Sequence, residues 1–308
     1  MKHDKPLVFA TSSYLELQGQ IAALADFDLG QLERKQFPDG EHYQRILSDV
    51  DGRDAVVVGG TINETETLEL YDLACGLVQE DVRSLTLVIP FFGYATMERV
   101  SKPREIVTAK TRARLLSSIP VPATGSRVVL LDLHSEGIPF YFEGAIRPVH
   151  LRGTPVIMRA AQRLAGPGFV LAATDAGRAK WVERMALDSG VTASFVFKRR
   201  HEDGTTEVTA VSAHVKGAHV VIYDDMIRTG GSLINAARAY RAAGAASISA
   251  IATHGVLPGD ALGRLQRSGL FEHIVCTDSH PRALELRSSL LEIESVAGLF
   301  ADYLKSEL

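Results

Sequence analysis

Only two cysteines, Cys75 and Cys276, occur in 308 residues, too few for a disulfide framework and without metal-binding spacing. A reducing cytosol is therefore the expected compartment. No apolar run approaches the roughly 20 residues that cross a bilayer, and near the start only Leu7 to Ala10 is apolar, too short for a secretory signal. No membrane partner is expected. There is also no excess of positive charge: 33 Lys and Arg against 37 Asp and Glu leave a formal net charge of −4, which speaks against general nucleic-acid binding. Any anionic ligand must be held by local basic clusters. What is present, 46% hydrophobic residues over this length, fits about two globular domains, each with its own core.

Apolar runs of four to eight residues alternate with amphipathic stretches, the mark of an α/β fold with helices around mainly parallel sheets. Strands are expected at 7–10, 55–58, 85–90, 128–133, 169–173, 194–197, 220–223 and 248–253. Helices are expected at 14–25, 65–79, 107–117, 155–164, 178–189 and 233–243, with Thr154 as a cap ahead of Pro155. A weak internal repeat relates Ala55-Val-Val-Val-Gly-Gly-Thr61 and the strand at 84–90 to Val220–Ser232 and the strand at 247–253. Two domains of one fold are expected, 1–147 and 148–288, joined near Gly144, Pro148, Gly153 and Pro155, with a C-terminal helix at 289–308 packing on the first.

Residues His219 to Ser232 carry the strongest chemical signal: a buried strand, the acids Asp224 and Asp225, then Arg228-Thr229-Gly230-Gly231-Ser232 opening a helix. Backbone N–H groups at a helix N-terminus suit a phosphate, and glycines let the backbone come close to it. The acids suit sugar hydroxyls or a magnesium ion beside that phosphate. Five further blocks lie at strand ends or in loops. Phe37-Pro-Asp39-Gly-Glu41 puts an aromatic beside two acids, either to face a nucleoside or to make a plain turn. Arg99, Lys102 and Arg104 form a basic loop of the kind that grips phosphate oxygens, while Lys110, Arg112 and Arg114 read as a solvated helix face. At the end of a strong strand, Asp132-Leu-His134 offers a histidine suited to magnesium, a carboxylate or a phosphate. Asp175, after another strand, either caps a helix or serves magnesium or ribose. Lys198-Arg-Arg200 begins a polar loop that can close over a phosphoryl group or form a solvated hairpin.

In order and spacing, Phe37–Glu41, Phe92-Gly-Tyr94, Thr108-Ala-Lys110, Asp132–His134, Thr174-Asp-Ala-Gly177, Lys198–Arg200 and Asp224–Ser232 resemble the ribose-phosphate diphosphokinases, also called phosphoribosyl pyrophosphate synthases. Ile119-Pro-Val-Pro122 and Phe140-Tyr-Phe-Glu-Gly144 look closer to the plant-type, phosphate-independent branch. The resemblance implies two type I phosphoribosyltransferase-like domains, each a mainly parallel sheet flanked by helices, the first mainly for ATP and the second for ribose 5-phosphate. It implies transfer of the diphosphoryl group of ATP to the anomeric hydroxyl of ribose 5-phosphate, with Mg2+ as cofactor and a homo-oligomer built from dimers. Phe37, Asp39, Glu41, Arg99, Arg104 and His134 would serve ATP, and Asp132, His134 and Asp175 the metal. Lys198, Arg200 and His134 would be catalytic, and Asp224, Asp225, Arg228, Thr229, Gly230, Gly231 and Ser232 would hold ribose 5-phosphate.

Two positions depart from the family pattern. Thr96-Met97-Glu98 stands where the common branch has Arg-Gln-Asp, which leaves strictness for ATP open, and Arg228 stands where an acid is usual. Two other functions share parts of the pattern: a phosphoribosyltransferase consuming the activated sugar, and a catalytically silent regulatory subunit. The first has no use for the Phe37, Asp132 and Lys198 blocks, and the second has no use for an intact set of acids and bases.

Overall fold

β-Branched apolar runs ending at glycine or acidic residues fold as strands throughout the computed structural model, which describes residues 5–175, 177–200, 206–212 and 214–308. The chain divides into two units: Met1–Arg152 together with Val296–Leu308, and Gly153–Ser295. Unit 1 contains β1 (Leu7–Ala10), α1 (Leu15–Ala25), β2 (Asp28–Leu29), β3 (Leu32–Gln36), β4 (His42–Ile46), β5 (Asp54–Val58), α2 (Glu64–Gln79), β6 (Ser84–Ile89), α3 (Thr108–Ser117), β7 (Ser126–Leu131) and β8 (Ile146–Leu151). Its six-stranded sheet runs β2-β1-β5-β6-β7-β8, every pairing parallel, and β3 and β4 stand apart as an antiparallel hairpin.

Unit 2 contains α4 (Thr154–Ala165), β9 (Val170–Ala173), α5 (Ala179–Ser189), β10 (Thr192–Arg200), β11 (Thr206–Val211), β12 (His219–Ile227), α6 (Gly231–Ala242), β13 (Ser247–Gly255), α7 (Ala261–Ser268), β14 (Ile274–Thr277), α8 (Pro281–Glu285) and β15 (Leu291–Glu294). Its seven-stranded sheet runs β11-β10-β9-β12-β13-β14-β15, parallel except where β10 meets β11. The two sheets match strand for strand from β2 to β8 and from β10 to β15, so the glycine loops after β5 and β12 occupy equivalent positions.

Both sheets are covered on both faces, which is why their strands read as unbroken apolar runs. In β5 the alternation of faces sends Ala55 and Val57 into a core with α2 and α3, and Val56 and Val58 into a second core with α1. The second core is completed by α9 (Ala297–Glu307), whose buried Ala297, Phe300 and Leu304 join Val8, Ile21 and Val129. In unit 2, β12 sends Val220 and Ile222 to one side and Val221 and Tyr223 to the other, where α4 and α5 cover them. Thus α9 and α4 hold equivalent places, and the chain crosses back after β15 to finish unit 1. Among the described residues no helix is long and apolar enough to cross a membrane.

Three local expectations change. Gly153, not Thr154, occupies the cap of α4, and Thr154 and Pro155 already lie in its first turn. The segment 289–308 is not one helix: Leu291 and Ile293 alternate with Glu292 and Glu294 as edge strand β15, and Arg163 of α4 pairs with both acids at 2.8 and 2.9 Å. Finally, β12 runs on to Ile227 because β13 continues beside it to Gly255, so Asp224 and Asp225 lie within the strand rather than at its tip.

Candidate active site

In unit 2, β12 and the adjacent β9 bring the predicted acids together. Asp224 accepts the Thr174 hydroxyl at 3.1 Å, and its Oδ1 also takes the Asp225 N–H at 3.0 Å. Arg178, at the cap of α5, holds Asp225 at 2.7 Å and stands 3.9 Å from Asp224. Asp225 is 5% exposed. Burial and, after it, the neighbouring Asp225 carboxylate push the Asp224 carboxyl well up, against the pull of Arg178 and Thr174. Asp224 is therefore the acid inclined to keep a proton while no ligand offsets its charge, and Arg178 fixes the position of its neighbour. Nothing in the local pattern marked Arg178, because its role follows from β9 lying next to β12.

The loop after this strand is built to leave donors free. Gly230, in the left-handed region at φ 78°, sits at the cap of α6, with no side-chain cap bond and no acid in the first turn. Arg228, Thr229 and Ser232 are exposed around it. Leu265 would meet any Cβ on Gly230 at 2.9 Å, so glycine is needed for packing as well as for φ. Asp175 receives the Gly177 N–H at 2.9 Å and so braces the loop ahead of α5 rather than capping the helix itself. Lys198 and Arg200 lie on β10, whose backbone pairs with β11. Their side chains are outside the described residues.

In unit 1, Asp132 follows β7 directly, 3% exposed and at φ 37°. Its N–H reaches the Leu151 carbonyl at 3.1 Å, and the Leu133 N–H reaches His150 Nε2 at 2.9 Å. His134 is half-buried in the same turn. Phe37, Asp39 and Glu41 form the exposed tip of the β3–β4 hairpin, closed by the Phe37 N–H on the Glu41 carbonyl at 2.8 Å. Phe37 remains 46% exposed, its ring set edge-on to Tyr43 with 6.1 Å between centroids. Arg99 and Arg104 are exposed, Arg99 near Glu98 at 3.6 Å and Arg104 with a left-handed backbone. The helix-face cations of α3 are otherwise engaged: Arg112 pairs with Glu64 at 3.2 Å and lies 4.9 Å from the Tyr94 ring, and Arg114 pairs with Glu143 at 2.9 Å.

A groove of about 390 Å3 between β4 and α2 contains none of these residues and is lined by Asp49, Asp51, Asp72 and Glu80, the wrong charge for phosphates. Among the described residues no three His, Cys, Asp or Glu side chains converge as a metal cage. The donors at the candidate positions are instead hard carboxylates in ones and twos, the set that suits a magnesium ion sharing its shell with water and phosphate oxygens.

Two matching parallel sheets, one bearing an acid pair beside an uncapped glycine loop, define an α/β protein that handles sugar phosphates. The comparisons agree. Residues 7–119 match the N-terminal domain of ribose phosphate pyrophosphokinase, and residues 190–305 match the phosphoribosyl synthetase-associated domain. A ribose-phosphate pyrophosphokinase of Fusobacterium nucleatum is 34% identical over 300 residues, 96% of this chain and 92% of that one. A chloroplastic ribose-phosphate pyrophosphokinase 2 of rice, Oryza sativa, is 33% identical over 88% of this chain and 67% of that one. The phosphoribosylpyrophosphate synthetase of Mycobacterium smegmatis superposes with a TM-score of 0.85 over 98% of both chains at 27% identity. The chain belongs to the ribose-phosphate pyrophosphokinase family.

Proposed function

We propose that this protein transfers the diphosphoryl group of ATP to the anomeric hydroxyl of ribose 5-phosphate, releasing AMP and forming phosphoribosyl pyrophosphate. Family membership over nearly the whole chain supports the reaction. The observation that carries the assignment of the sugar phosphate to unit 2 is the acid pair, anchored by Arg178 and Thr174, beside the uncapped start of α6.

In this reading the N–H groups of Thr229 to Ser232 take the 5-phosphate, with Arg228 adding charge, and Asp224 accepts from a ribose hydroxyl. Arg178 keeps the Asp225 carboxylate fixed, so the pair presents a preset geometry to the sugar. Phe37, Asp39 and Glu41 face the adenosine, and Arg99 and Arg104 the triphosphate. Asp132 and His134 on the ATP side and Asp175 on the ribose side would hold Mg2+, which when bound would supply charge neutralisation. The anomeric oxygen attacks the β-phosphorus and the α,β-bridging oxygen leaves with AMP. Lys198 and Arg200 stabilise the charge that gathers on the transferring group. Positioning and charge neutralisation suffice, so no covalent nucleophile is needed.

Incubation of the protein with ribose 5-phosphate, ATP and Mg2+ should release AMP stoichiometrically with phosphoribosyl pyrophosphate. AMP no higher than from Lys198→Ala would sink the proposal. Repeating the assay with other nucleoside triphosphates measures what Thr96-Met97-Glu98 does to donor choice.

A further inference from the structure

We infer that His150 is a positioning residue of this reaction: its imidazole clasps the Asp132–His134 turn from β8 and fixes the directions in which Asp132 and His134 meet their ligands. The inference rests on the assignment of those two residues to the ATP phosphates and metal.

The turn is one that does not hold itself. At φ 37° Asp132 lies in the left-handed region, which is strained for an L-residue and persists only where its surroundings over-determine it. Two hydrogen bonds from consecutive residues do so. The Asp132 N–H continues the β7–β8 ladder onto the Leu151 carbonyl at 3.1 Å, and the next N–H, of Leu133, is taken by His150 Nε2 at 2.9 Å. Leu133 is 5% exposed, so water is a poor substitute for that acceptor.

An accepting Nε2 requires a neutral ring with its proton on Nδ1. Burial first, and the charge of Arg152 second, bring His150 down to about 4, against the opposing pull of Glu136, so the lone pair is available at neutral pH. Leu151, next to His150 on β8, packs against the core that holds Leu131 and Phe300. The core thus anchors the strand from which His150 reaches, and the turn inherits its rigidity. Just past the end of β8, Arg152 pairs with Glu136, two residues beyond the turn, at 2.8 Å. The clasp needs no contact with substrate.

Three variants of the full chain test this. His150→Phe keeps a ring and removes the acceptor; His150→Gln offers a carboxamide oxygen at similar reach; His134→Ala removes the side chain the clasp is said to aim. His150→Phe should lower kcat about 100-fold while KM for ribose 5-phosphate, bound by the other unit, stays within about threefold. His150→Gln should stay within about tenfold of the parent, since it restores the one hydrogen bond at issue. Amide exchange in the 132–134 segment should quicken in His150→Phe and stay slow in His150→Gln, with cooperative thermal unfolding kept in both. A parental kcat in His150→Phe, equal damage in the two variants, or a His150→Phe protein that does not fold overturns the inference. Full activity in His134→Ala overturns the underlying assignment and the inference together, whereas loss there with none in His150→Phe overturns the inference alone.

Discussion

The glycine loops after β5 and β12 hold equivalent places in matching sheets, yet one is filled by its own protein and the other is left open. In unit 1 a methyl on Gly59 would come within 2.8 Å of Thr11 Cγ2, one on Gly60 would strike the Tyr14 hydroxyl, and one on Gly93 would strike the Thr61 carbonyl. Helix α2 is also closed at its start: Asn63 accepts the Glu66 N–H at 2.9 Å, and Glu64 and Glu66 occupy the first turn. In unit 2 Gly230 is packed against Leu265, but a methyl on Gly231 would find only Thr229 Oγ1 at 3.8 Å, and α6 begins with neither a capping side chain nor an acid. The same strand, glycine pair and helix therefore make a closed packing joint in one unit and an uncapped helix start in the other. What separates them is whether the helix N–H groups are already spoken for and whether carboxylates guard them.

That contrast can be broken at single residues. The largest effect is expected from Gly93→Ala, because its methyl meets backbone rather than a movable side chain: a loss of about 3 kcal/mol of stability or more, read as a fall in the thermal midpoint without any change specific to ribose 5-phosphate. Next comes Asp224→Ala. Removing the acid that Thr174 orients should weaken ribose 5-phosphate about 100-fold and ATP far less, by calorimetry with each ligand. The reverse order of losses would contradict the assignment of the sugar to unit 2. Gly231→Ala should leave the thermal midpoint unchanged or slightly raised, since alanine is the better helix former, while ribose 5-phosphate binds about tenfold more weakly because the methyl stands where the phosphate approaches. Equal damage to stability from Gly93→Ala and Gly231→Ala would erase the distinction between the two loops.

The mildest effect, absent at neutral pH, should be shared by both units. Each contains a histidine that accepts a backbone N–H: the half-buried His150 from Leu133 at 2.9 Å and the buried His280 from Arg282 at 3.2 Å. Burial before all else holds both near 4, below their ordinary 6.5. Between about pH 6.5 and 4 the unfolded chain binds protons that the native protein refuses, so stability present above pH 6.5 is lost as pH falls through that window. Denaturant midpoints measured from pH 7.5 to 4.5 should decline accordingly, and His280→Gln should flatten the slope. A slope unchanged by that substitution would show that carboxylates alone set the acid limit.

The sheets were legible because parallel strands buried on both faces leave apolar β-branched runs that little else explains, and eight of them mark the chain. The short β14, Ile274–Thr277, escaped notice although it is buried and parallel on both sides, and so did strands built on other physics. β8 carries Arg147, Pro148 and His150 at a sheet edge, where an unpaired side tolerates proline, and reads as part of a linker. The β3–β4 hairpin lies off both sheets and so shows no buried stripe. Of the site, the paired acids and the glycine loop stood out because adjacent carboxylates and a glycine pair are unusual beside each other in sequence. Arg178 and His150 did not, since each acts on residues of a neighbouring strand, and strand neighbours are fixed by topology that no short motif states.

Helix α9 follows all of unit 2 in the chain, yet its Phe300 and Leu304 complete the core that holds Val8, Tyr14 and Val129. On a translating ribosome, then, the unit begun first is the one finished last: until residues 297–307 emerge, the α1 face of its sheet stands uncovered while unit 2 already has every helix it needs. A nascent chain stalled near residue 296 would carry a complete unit 2 and an unfinished unit 1, so a chaperone would find its target at the N-terminal half.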